Sequence, residues 1–156
     1  MTNTQLKNTV KPKVRIVAVG GKACNILQRL QTSLKDNPNV ACVAIAKADK
    51  IFNQLHVTQK IELRTEKNIE ELDEKSQEKI IHNIIDEKQN EIAGALADSD
   101  ILFVLGNLSS PMNVIQMEKI TSFVNRKKVP TIFFGSHPFS FEGEVKAQSS
   151  VQGCKR

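Results

Sequence analysis

Residues 14–46 read VRIVAVGGKACNILQRLQTSLKDNPNVACVAIA, and the architecture of the chain turns on them. A β-branched apolar run, Val14–Val19, ends at Gly20-Gly21, as a buried strand followed by a tight turn does. Over residues 22–36 the apolar Ala23, Ile26, Leu27, Leu30 and Leu34 fall at helical spacing, and Asn37-Pro38 stops the helix. Val40–Ala46, VACVAIA, is a second apolar run of strand length. A strand, a helix and a strand in that order predict two parallel strands joined by a right-handed crossover.

The same alternation continues outward. Residues 57–63 alternate Val57, Gln59, Ile61 and Leu63 with polar neighbours, the pattern of an edge or half-exposed strand. The charged stretch 65–98 carries a helical stripe of Ile69, Leu72, Ile81, Ile84, Ile85, Ile92 and Leu96. Its heptads are not sustained, so a long charged helix over 66–97, packed on the sheet, is expected in place of a coiled-coil arm. Residues 101–105 then form a third central strand. Residues 114–127 form a helix with Ile115, Ile120, Phe123 and Val124 inward, and 129–135, VPTIFFG, a fourth central strand with Pro130 near its start. The fold class is α/β: a three-layer, Rossmann-like, doubly wound and mostly parallel sheet. Residues 1–11 are polar and aperiodic, a disordered tail.

Bulk properties remove several function classes. No apolar run approaches the ~20 residues that span a bilayer, and the N-terminus lacks the apolar core of a secretory signal, which points to the cytoplasm and no membrane segment. Cys24, Cys42 and Cys154 are too few and too scattered for a disulfide framework or a zinc site, so reduced thiols are expected. A net charge of +5 raises the question of nucleic acid. Lysines alternate with acids, however, and no Tyr or Trp is present to stack bases, so nucleic acid is not the expected partner.

Catalytic constellations are also missing. His56, His82 and His137 show no metal-ligand spacing, and His82 is expected on a helix surface. The acid pairs Glu70-Glu71 and Asp86-Glu87 are consecutive and splay over a helix, and Ser109-Ser110 lack a nucleophile elbow. No catalytic residue and no metal site is assigned. What remains is the turn Gly20, Gly21, Lys22, Ala23, Cys24 and Asn25, where glycines let a backbone approach a phosphate beneath the amides of a helix N-terminus. Two glycines also serve any strand-to-helix turn, and both roles stay open. Lys22 either neutralises a phosphate or stands in solvent; Asn25 is a candidate local helix cap. Cys24 lies where a helix end lowers a thiol pKa, yet no base accompanies it, so a structural thiol is expected.

Residues 138–143, PFSFEG, directly after an apolar strand, closely resemble the same hexapeptide of bacterial FtsZ, the tubulin-like cell-division GTPase. VAVGG with Asn25 resembles the first strand and glycine loop of that family, VACVAIA its second strand, and 91–104, EIAGALADSDILFV, the helix and strand leading to the tubulin signature. The resemblance covers roughly residues 13–143, and implies one nucleotide-binding-type domain over 12–143, with 144–156 a tail or the start of the family's central helix.

The resemblance also shows what has changed. Where FtsZ and tubulin carry GGGTGTG, this chain has SSPMNVI at 109–115: Pro111 has no amide hydrogen, and Met112, Val114 and Ile115 are expected to put side chains where a phosphate would lie. After the second strand the family has Asn-Thr-Asp, whereas Ala46-Lys47-Ala48 offers no carboxylate or hydroxyl. The glycine-rich loop expected after Leu63 is replaced by TEKNIEE, and the family's second domain, which completes GTP hydrolysis, is absent from this sequence. The resemblance implies a pseudo-GTPase acting by protein contact, capping or docking on an FtsZ-type protein or self-associating, without a firm cofactor. Two alternatives stand beside it. One is a divergent GTP- or GDP-binding protein of low affinity, with Lys22, Asn107, Ser109 and Ser110 replacing lost backbone contacts. The other is the N-terminal fragment of a longer FtsZ homologue.

Overall fold

A computed structural model describes residues 10–65 and 68–137. The expected tail as far as residue 9, the 138–143 hexapeptide, and residues 144–156 with Cys154 lie outside them. Five strands, β1 (Val14–Val19), β2 (Val40–Ala46), β3 (Gln59–Glu62), β4 (Ile101–Asn107) and β5 (Thr131–Ser136), alternate with helices α1 (Gly21–Leu34), α2 (Lys50–Gln54), α3 (Glu74–Glu87), α4 (Gln89–Leu96) and α5 (Pro111–Asn125). Their order in the sheet is β3-β2-β1-β4-β5, and every neighbouring pair is parallel. The expected doubly wound sheet is therefore present, with its winding reversing between β1 and β4.

Side-chain size sorts the two faces. The alternation in VACVAIA sends Val43 and Ile45 to one face and Cys42, Ala44 and Ala46 to the other. The bulky face, with Val17, Val19, Ile61, Leu102 and Val104, packs against Ile81 and Ile85 of α3, Ile92 of α4 and Ile115 and Ile120 of α5. The small face takes Ala23, Cys24 and Leu27 of α1 and Phe52 of α2. Small residues thus meet small residues under α1. Its buried arc is narrow, and Ile26 and Leu30, expected inward, are exposed instead.

Three elements depart from expectation. The single long helix over 66–97 is a 3-10 turn at Ile69–Glu71 followed by α3 and α4, which part at Lys88. A straight helix would carry the stripe Ile81, Ile85, Ile92 and Leu96 through position 88 and bury a lysine. The chain breaks there, and Lys88 Nζ reaches Glu91 Oε2 at 2.8 Å. Asp73 opens α3 by accepting from Ser76 N–H at 3.0 Å and Ser76 Oγ–H at 2.6 Å. Second, the 57–63 strand is paired only over β3, at the sheet edge as expected. Third, β5 is not central among the described residues: it forms the opposite edge, with Ile132, Phe133 and Phe134 exposed.

Candidate functional site

In an open parallel sheet the crevice for a ligand opens beyond the C-terminal ends of the strands, where the winding reverses. Here that place lies between the β1–α1 and β4–α5 junctions. Gly20 is the N-cap of α1 at φ 85°, ψ 164°, a conformation side chains resist, and its N–H donates to Ile45 C=O at 2.9 Å. It is glycine for a second reason. A Cβ at Gly20 would lie 2.6 Å from Asn113 Oδ1 and 2.8 Å from Asn113 Nδ2. The side chain of Asn113, in the first turn of α5, is therefore seated on the first glycine of the β1 turn.

The other sequence-assigned residues separate into those at the crevice and those committed elsewhere. Gly21 and the exposed Lys22 begin α1 beside the crevice; Ala23 and Cys24 point into the core. Asn25 is exposed inside α1 and is not its cap, because the helix begins four residues earlier, at Gly21. Asn107 and Ser109 are buried and bound to one another: Asn107 Oδ1 accepts from the Ser109 N–H at 3.0 Å and from its hydroxyl at 2.7 Å. That local turn uses the groups proposed for a phosphate. Ser110 is the N-cap of α5 but makes no side-chain cap bond, and Pro111 follows it inside the first turn. Proline at this position begins a helix well and removes one amide that an anion would need.

One expectation about this junction is corrected. The segment 109–115 is not all loop, since α5 starts at Pro111, and helical geometry turns Val114 and Ile115 into the buried core and leaves Met112 half-buried against it. Asn113, which no motif singled out, is the residue that meets the facing loop. Beyond Ala46-Lys47-Ala48, which carry no carboxylate, the next residue, Asp49, supplies one. It caps α2, accepting from Phe52 N–H at 2.7 Å, and its Oδ2 lies 3.3 Å from where a Gly21 Cβ would be. The Asn113–Gly20 and Asp49–Gly21 approaches are not readable from spacing, since each joins segments more than twenty residues apart in sequence.

Cys24 carries no depressed pKa. Burial, reinforced by the negative charge of Asp49, pushes its thiol up to about 12. Burial also raises Cys42. Burial thus favours the neutral thiol at both positions. His82 stands half-exposed, 3.8 Å from Glu78, on the surface of α3 as expected. Among the described residues no group of three or more His, Cys, Asp or Glu could hold a metal ion, and no helix is long and apolar enough to cross a membrane.

No protein-family model matches the sequence, and no curated protein matches it. Solved structures do match its shape. The W319Y mutant of FtsZ from M. jannaschii superposes with a TM-score of 0.74 at 23% identity, covering 93% of this chain and 43% of that one. CetZ from Methanosaeta thermophila strain DSM 6194 gives 0.71 at 18% identity, covering 93% and 42%, and TubZ of Clostridium botulinum phage c-st gives 0.67 at 13%, covering 92% and 46%. The chain has the FtsZ/tubulin GTPase-domain fold. It spans less than half the length of the FtsZ structures it matches. In this FtsZ-like fold the junction holding Asn113 is the one that the sequence resemblance assigns to the glycine-rich signature.

Proposed function

We propose that this chain is a non-catalytic, FtsZ-like pseudo-GTPase module that acts by protein contact in cell division or a related filament system, its natural partner an FtsZ-type protein or a further copy of itself. The observation that carries the reading is Asn113 on Gly20. The retained glycine, for which the sequence leaves a phosphate and an ordinary turn both open, is accounted for by an internal contact at the crevice. Pro111 removes a donor from the same turn, and the Asn107–Ser109 pair withholds two more polar groups. Each lost hydrogen bond to a charged oxygen costs about 1.5–3 kcal/mol of binding, so losing several weakens affinity by orders of magnitude.

A divergent GTP- or GDP-binding module is the second reading, favoured by one observation: Gly21, Lys22 and the N-termini of α1 and α5 border the same crevice. Titration calorimetry with GTP and GDP in Mg²⁺ separates the two. The pseudo-GTPase gives no saturable heat, while binding tighter than about 10 µM would reject it. Co-sedimentation with FtsZ filaments is expected to bring this chain into the pellet without nucleotide turnover of its own. A chain that remains in the supernatant at every ratio removes the partner assignment.

A further inference from the structure

We draw no further inference here: the strongest candidate, the cavity of about 70 Å³ between α3 and the start of α5, lined by Thr65, Asn68, Met112 and a Gln116 whose buried Oε1 has no hydrogen-bond partner among the described residues, carries nothing, because residues 66 and 67 lie outside the described residues and nothing in the structure shows whether a ligand or the chain itself meets that oxygen.

Discussion

Gly20 and Asn113 form the contact on which the crevice depends, and both can be probed. At φ 85° a side chain is strained, and Asn113 occupies the space a Cβ needs. Gly20→Ala is therefore expected to cost about 2–3 kcal/mol in urea unfolding. Adding Asn113→Ala removes the clash but not the strain, so the double variant should recover part of that loss; strict additivity would mean the two residues do not touch. Cys24 gives a pH signature. Its folded pKa lies above its ordinary value of 9.0, at about 12, so the native state favours the neutral thiol. Stability from this group is complete below pH 9.0 and falls as pH climbs toward 12, by up to about 1.4 kcal/mol per unit. Urea melts at increasing pH should show that decline in the wild type and a shallower one in Cys24→Ala.

Among the elements, α3 and α1 differ in what their apolar stripes mean. Ile85 is wholly buried between α3, α5 and the bulky face of the sheet, and Ile85→Ala is expected to cost about 2–4 kcal/mol. Ile26 obeys the same periodicity but sits in water, so Ile26→Ala should change stability by no more than about 0.5 kcal/mol, and a comparable loss at both sites would contradict the packing. Periodicity placed α1, α5 and the helical character of α3 and α4 but missed α2, and it did not show which arc of each is covered, because the covered arc depends on the width of the facing groove. The α3–α4 break shows the same limit. The stripe is legible over residues 69–96, whereas the turn at Lys88 arises from the cost of burying one lysine in a core that other elements create. Ser76 holds the Asp73 carboxyl below its usual range, so this cap supports α3 at neutral pH and is lost on acidification.

For the whole molecule, any ligand that binds the folded state alone must raise its melting temperature. With about 1 mM GTP or GDP and Mg²⁺, the proposed loss of nucleotide binding predicts melting within ~1 °C of the nucleotide-free protein, whereas a ligand present at 100 times its Kd would add about 2.7 kcal/mol. Scanning fluorimetry is sufficient to distinguish these. The strand order decides where such a ligand would sit, and the strand order is a property of the complete sheet. β1 and β4 are neighbours although more than eighty residues separate them.

The amino-acid sequence by itself determined most of the element types, the parallel α/β class, the small and bulky alternation of β2 and the proline at residue 111. These are local or periodic properties, set by propensity, steric freedom and the two-residue and 3.6-residue repeats. Only the tertiary structure decided that Asn113 sits against Gly20, that Asp49 stands beside the α1 turn, that Asn107 and Ser109 are spent on each other and that β5 is an edge among the described residues. The physical reason is shared by all but the Asn107–Ser109 turn: each is a contact, or a missing contact, between segments far apart in sequence, and its energy exists only once the sheet has brought the strand ends together.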